Sequence, residues 1–376
     1  MNRTLLVQTL AAGPPVAGGR ISVLTGFAHP LRGAVRCPAA PAFAAGLAER
    51  LRTGASALGR DVLLEADLDA AGHTRAAVTL AVSYLDRDGQ AGGLAAALPA
   101  EDDAARDVVL RALCEWTGVM RTRSVLVAEP PACANAATAA AWCPHRRTAH
   151  ASVLDFTDRG DALALITEPG NAFAEQLAAD ARDAGGRAEI VHEPSASALE
   201  DVNPEALSFV IVPGTRVEAA VPILLGLRRR FPRLRGQHPD EYCYGRSDWY
   251  ETVRSVASAS ECVLVLTDPA EPSDPIVAEV LGGLGVPGVR VTDPADLRPD
   301  QLAHGAIGLI PTGSATAGKR LAETLDLLGG LGPLSARRRV TRTEPLRPSH
   351  PAAQAPRPTV AAVEDATGWW GSGQLP

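Results

Sequence analysis

The chain has 376 residues, 46% of them hydrophobic and 21% charged, with a formal net charge of -7. That length allows two or three compact domains, and the acidic balance argues against a nucleic-acid binder, whose phosphate contacts need a surplus of Lys and Arg on one face. No run approaches the roughly 20 apolar residues of a membrane span, and the opening MNRTLLVQTLAAGPP is too short and too polar for a secretory core, so a cytoplasmic protein without a membrane partner is expected.

Residues 1–122 read as a small α+β unit. RISVLTGFA and DVLLEADLD have strand composition. HTRAAVTLAVSYLDRDGQAGGLAAALP reads as a hairpin turning at Asp86 to Gln90, and EDDAARDVVLRALCEWTGVM as a helix whose acidic start suits its N-terminal dipole. Cys114 is expected on the apolar face of that helix beside Leu113, as a small core residue. Cys37, followed by Pro38, is a candidate loop ligand.

At Arg121 the character changes. A buried strand (Val125 to Ala128) leads through a Pro-rich turn to Cys133, a short Ala-rich helix, Cys143 with Pro144, a longer helix and a strand (Ala162 to Ile166). Next come a helix (Phe173 to Ala184), two strands (Ala188 to His192, Phe209 to Val212) and a helix (Val217 to Arg230). After Cys243 the order is helix (Trp249 to Ala257), strand (Cys262 to Thr267), helix (Pro275 to Leu284), two strands (Gly288 to Thr292, Ala306 to Ile310) and a helix (Ala317 to Leu328). Continuous apolar strands alternating with helices predict parallel sheets covered on both faces. Their ligand-binding loops belong at the carboxyl ends of the strands: TEPGN, VPGTRVE, TDPAEPSDP and IPTGSAT. The fold class is therefore α/β, with repeated small parallel-sheet domains at 123–235 and 236–331 around a central site, after the N-terminal unit at 1–122. Residues 332–376, rich in Pro and Arg, read as a disordered tail.

Six cysteines in so long a chain are too few for a disulfide framework. Cys133, Cys143 and Cys243 each sit at a junction where a loop meets a helix, where a thiolate can face a ligand. A zinc site built from Cys133, Cys143, His145 and His150 has the spacing C-x9-C-x-H-x4-H, which fits no common finger.

These residues carry a family resemblance. From Arg123 to about Gly330 the chain resembles the LytB/IspH family, 4-hydroxy-3-methylbut-2-enyl diphosphate reductase. RRRFPRLRGQHPDEYCYGRSDWYETVR is similar to a family stretch with RFP, an HPD-like turn and ICYAT. AWCPHRRTAHASVLDFTDRGDALALI is similar to ATCPLVTKVH and the strand after it. Cys143 and Cys243 are 243 - 143 = 100 residues apart, close to the family's spacing. The resemblance implies an oxidoreductase of isoprenoid biosynthesis, or of a divergent small substrate, performing reductive dehydroxylation. It further implies a [4Fe-4S] cluster held by Cys133, Cys143 and Cys243, with one iron left open. The partners it implies are a small-molecule substrate and an electron donor such as ferredoxin or flavodoxin.

The departures matter equally. Cys133 and Cys143 are only 143 - 133 = 10 residues apart, where the family has most of an αβ domain, which leaves Cys37 as an alternative first ligand. Asn171 and Phe173 occupy the family's His and Glu positions, and Glu271 and Pro272 its two Ser positions. Thr215 and Ser314 match, and with Asn171 they form the expected substrate-binding set. A pocket so poor in anion donors is expected to hold a diphosphate badly. The alternative is a non-catalytic paralogue serving as a binding or regulatory subunit.

Overall fold

A computed structural model describes residues 7–10, 20–53, 61–65, 77–86, 89–131, 143–194, 199–313 and 317–344. The first sheet contains β1 (Gln8–Leu10), β2 (Arg20–Leu24), the hairpin β3 (Gly26–His29) and β4 (Gly33–Arg36), β5 (Asp61–Glu65), β6 (Ala77–Leu85) and β7 (Ala91–Pro99). Its order is β1-β6-β7-β2-β5, with β4 attached to β7. The hairpin expected at Asp86 to Gln90 is present, closed by Asp86 N–H donating to the Gln90 carbonyl at 2.9 Å.

Helices α1 (Ala40–Thr53) and α2 (Asp103–Gly118) pack on this sheet; α1 was not anticipated. Asp102 caps α2, its carboxylate accepting from Ala105 N–H at 3.1 Å. The buried stripe of α2 is Ala105, Val108, Val109, Ala112, Leu113 and Trp116, an i, i+3, i+4 pattern. Cys114 is exposed, which corrects the expectation of a core residue: it lies one position past Leu113, about 100° around the helix and off the stripe.

The last two units are parallel sheets. β8 (Arg123–Ala128) precedes α3 (Pro144–Asp158), β9 (Ala162–Ile166), α4 (Ala172–Asp183), β10 (Ala188–Val191), β11 (Leu207–Ile211), α5 (Val217–Arg230) and β12 (Arg235–Gly236). Next come α6 (Gly245–Ser258), β13 (Cys262–Leu266), α7 (Pro275–Leu284), β14 (Gly288–Val291), β15 (Ala306–Pro311), α8 (Ala317–Gly329) and β16 (Leu334–Arg339). The middle sheet is β10-β9-β11-β12 and the last is β14-β13-β15-β8-β16, every pairing parallel. All five residues of β11 are buried, as a strand covered on both faces requires.

Two boundaries differ from the sequence reading. β8, grouped there with the chain to residue 235, is hydrogen-bonded between β15 and β16; its continuous apolar run fits any buried parallel position, and composition cannot choose the partner. Residues 334–344, assigned to a tail, form instead an edge strand and a strap. In strand β16 Leu334 and Ala336 are half-buried while Arg337 and Arg338 are exposed, and charged side chains of this kind protect a sheet edge. Beyond it, Thr341 N–H donates to Thr252 Oγ1 at 2.8 Å and Thr343 N–H to Asp248 at 3.1 Å.

The N-terminal unit is not a separate body. One apolar cluster runs from Ile21, Leu80 and Leu98 of the first sheet, through Phe43, Leu47, Leu113 and Trp116, to Val125, Leu264 and Leu309 of the last. Thus α1 and α2 serve both sheets, while α6 and α7 pack in a different cluster with Leu126, Val263 and Ile310. Among the described residues no helix is long and apolar enough to cross a membrane.

Candidate functional site

A cleft of about 730 Å3 opens where the middle and last units meet, lined by Cys143, Arg146, Cys243, Arg246, the stretch 168–173, Arg216 with the turn before it, and Pro275, Ile276 and Glu279 at the start of α7. Parallel sheets explain its location. The loops after β9, β11 and β13 leave the carboxyl ends of their strands and lead into the N-termini of α4, α5 and α7, the end of an open sheet where ligands bind. Cys143 is the N-cap of α3, with Pro144 preset for the first turn, and Cys243 stands two residues before α6. Both thiols are thus at helix starts, where backbone N–H groups and the dipole favour a thiolate.

The two sulfurs, 100 residues apart in sequence, are hydrogen-bonded neighbours. Burial and the adjacent Cys243 sulfur push the Cys143 thiol up, while the backbone N–H groups of Arg146 and His145 donate to it and act the other way. They are 8% and 5% exposed, which limits water at the pair without sealing it off.

The rim is tied together by hydrogen bonds. Asn171 Oδ1 accepts from Phe173 N–H at 3.1 Å, capping α4, and its Nδ2 donates to Thr167 Oγ1 at 3.0 Å and to the Pro213 carbonyl at 3.1 Å. Thr215, 1% exposed, donates to the same Thr167 oxygen at 3.0 Å. Arg216 spans the two units. Its Nε and backbone N–H donate to Glu168 at 3.0 and 3.1 Å, and its Nη1 to Glu279 on α7 at 3.0 Å. Ser247 Oγ, on the helix after Cys243, accepts from Val217 N–H at 2.9 Å and donates to Glu218 at 2.6 Å, locking the start of α5 to that of α6.

Of the residues singled out from sequence, Cys143, Cys243 and Asn171 meet in the cleft, and Thr215 lies behind its rim. Cys133 and Ser314 lie outside the described residues, and among the described residues no three His, Cys, Asp or Glu side chains form a metal-ligand group. Cys37 is packed in the core shared by the first and last sheets, not in the cleft, and burial pushes its thiol up to about 12. That corrects its reading as a loop ligand. His150 pairs with Asp180 at 3.2 Å. Glu271 lies against Gly313 so closely that a Cβ there, at φ 87°, would stand 1.5 Å from its carboxylate; a side chain at 313 would be strained by both the angle and the contact.

Sequence reading missed Arg146, Arg246, Glu168 and Glu279. A signal existed for the arginines: each follows its cysteine by three residues, in C-P-H-R and C-Y-G-R, which puts both in the first turn of a helix that the cysteine introduces.

No protein-family model matches the chain. It is 28% identical over 198 residues to the 4-hydroxy-3-methylbut-2-enyl diphosphate reductase of Chromohalobacter salexigens, an alignment covering 51% of this chain and 62% of that protein. The reductase of the same name from Ralstonia nicotianae is 28% identical over 199 residues, 52% of this chain and 60% of that protein. The chain thus spans less than two thirds of either relative. Among solved structures, the E-1-hydroxy-2-methyl-but-2-enyl-4-diphosphate reductase from Plasmodium falciparum is similar with a TM-score of 0.42 and 13% identity over 68% of this chain and 82% of that one.

Proposed function

We propose that this chain, a divergent member of the 4-hydroxy-3-methylbut-2-enyl diphosphate reductase (LytB/IspH) family, is an iron-sulfur oxidoreductase that removes a hydroxyl group reductively from a small substrate in the cleft. The observation that carries the reading is the meeting of Cys143 and Cys243 at two helix N-termini in one cleft. Their surroundings fit cluster ligation. The dipoles favour thiolates, two backbone N–H groups already donate to Cys143 sulfur, and such hydrogen bonds tune a cluster's potential. Cys133, ten residues upstream of Cys143, would be the third ligand.

When bound, a [4Fe-4S] cluster on three protein thiolates supplies electrons and one open iron acting as a Lewis acid. The chain's own residues do the rest. The Asn171, Thr167 and Thr215 bonds hold the rim loops in place, and the Arg216 bridge holds the walls together. Phe173, Ile276 and Pro275 keep part of the lining apolar, excluding water from one side. The carboxylates at hand for proton supply are Glu168 and Glu279, both on Arg216. The hydrogen bonds of Asn171 and Thr215 support a role in shaping the rim. The electrons would come from a small carrier protein such as ferredoxin or flavodoxin.

The test is anaerobic reconstitution with iron and sulfide. A brown protein with roughly four irons per chain is expected, and Cys143→Ser or Cys243→Ser should abolish its visible absorbance because a harder oxygen ligand holds such clusters poorly. Cys114→Ser and Cys262→Ala should retain it. Equal behaviour of the two groups of variants would overturn the assignment.

A further inference from the structure

The three guanidinium groups in the cleft are not equivalent. Arg216 is saturated by Glu168 and Glu279. Arg146 has no carboxylate within ion-pair distance among the described residues; its guanidinium carbon sits over Phe173, 4.0 Å from the ring centroid. The stretch 132–142 just before it contains no acidic residue. Arg246 has Asp274 at 3.8 Å, but that carboxylate is taken: Oδ2 accepts from Trp249 Nε1 at 3.0 Å, and Oδ1 caps α7 by accepting from Ile276 N–H at 2.9 Å. Among the described residues, two guanidinium forks therefore face the cleft with donors unspent.

Three arginines against two glutamates line the cleft, 3 - 2 = +1, and with the Asp274 carboxylate beside Arg246 the site carries no excess of negative charge. The aromatic contact holds the Arg146 fork in place, which lowers the entropy lost when it binds a planar anion. The arginines also belong to this chain and not to the resemblance, because ATCPLVTKVH and ICYAT have Val and Thr three residues after their cysteines.

We infer that the cleft takes a small organic anion whose carboxylate or phosphate group is held by Arg146 and Arg246, its apolar body lying against Phe173 and Ile276. This rests on the reading of the cleft as the substrate site and names the substrate's class. It replaces the expectation of a pocket without anion donors: the donors have moved from the rim loops to the first turns of α3 and α6.

Calorimetric titration of the full chain, without a cluster, tests it with two probes, 3-methylbut-2-enoate and inorganic pyrophosphate. At least one should bind, and Arg146→Met and Arg246→Met should each weaken it about ten-fold or more, as loss of a charge-assisted fork requires. Arg146→Lys should recover only part, and Arg254→Met, an exposed arginine on α6 paired with Glu251, should bind as the parent does. Tighter binding of the carboxylate assigns the substrate to the carboxylates, tighter binding of pyrophosphate to the phosphate esters. If neither probe binds, or if both methionine variants bind as the parent does, the inference is overturned. Because the titration needs no metal, a protein that stays colourless on reconstitution yet binds anions through these arginines sinks the iron-sulfur reading alone, and a brown protein indifferent to both probes sinks the anion site alone.

Discussion

Arg123 offers the sharpest test of how the N-terminal unit is joined to the last sheet. Its guanidinium is 1% exposed and among the described residues has no carboxylate partner; it donates to the carbonyls of Leu302 at 2.9 Å, Leu331 at 3.1 Å, Arg121 at 3.3 Å and also Val119. Val119 caps the C-terminus of α2, where a cation meets the negative end of the dipole. Burial lowers the Arg123 pKa to about 10, so charge desolvation is a real cost that the four carbonyls must offset. Arg123→Met orphans those carbonyls at about 1–3 kcal/mol each but also removes the desolvated charge. Breaking one side of a buried charged network costs about 3–5 kcal/mol in practice, a large share of the roughly 5–15 kcal/mol that holds a domain folded. Arg123→Lys, with three donors on one nitrogen, should recover about half. Urea unfolding followed by circular dichroism measures both. Anion binding should persist under native conditions, because Arg123 opens β8 at the amino end of the sheet and the cleft lies at the carboxyl end. A loss below about 1 kcal/mol for the methionine variant would mean that the carbonyls find water, and that the junction is looser than described.

Asp248 is 7% exposed and receives three hydrogen bonds from Thr343, yet burial raises its pKa. A carboxyl with a folded pKa above its unfolded one contributes stability at acid pH and loses it as pH rises through the folded value, so Asp248→Asn should flatten the decline in urea midpoint just above the ordinary carboxylate range; an unchanged slope would assign that decline to another group. Arg216→Met should leave the lining at 2 - 2 = 0 charge, weaken anion binding several-fold and cost about 1–2 kcal/mol, discounted because Glu279 is half exposed. Unaltered binding would show that the bridge does not set the cleft's potential.

The strands and both cleft cysteines were legible because each has a local signature: unbroken apolar runs for β9, β11 and β13, and a Cys-Pro or Tyr-Cys-Tyr context at a loop-to-helix junction. What escaped depends on partners distant in sequence. Nothing in RSVLVA says that it pairs with strands beginning some 180 and 210 residues later, and SARRR reads as a polar tail until an edge is found for it. Cys114 needed its angular position more than its apolar neighbours. Asn171 and Thr215 were recognisable by residue type, but that their donors are consumed within the rim could be seen only once Thr167 and Pro213 were in place.

That consumption bears on how the cleft can hold an anion beside cysteines. As cluster ligands Cys143 and Cys243 would bring negative charge to the same space, and at an effective dielectric of about 20 two unit charges about 6 Å apart repel by roughly 2.8 kcal/mol. Neutral donors such as an amide or a hydroxyl do not cancel that repulsion, and here they are spent on the fold. A guanidinium does cancel it. Arg146 is the third residue of α3 and Arg246 the second of α6, each in the first turn of the helix that its cysteine introduces and each lining the cleft. The repeated Cys-x-x-Arg pattern thus puts a positive fork for an incoming anion in the same turn of chain as each sulfur. A Val or Thr at the same position would offer neither the charge nor the fork.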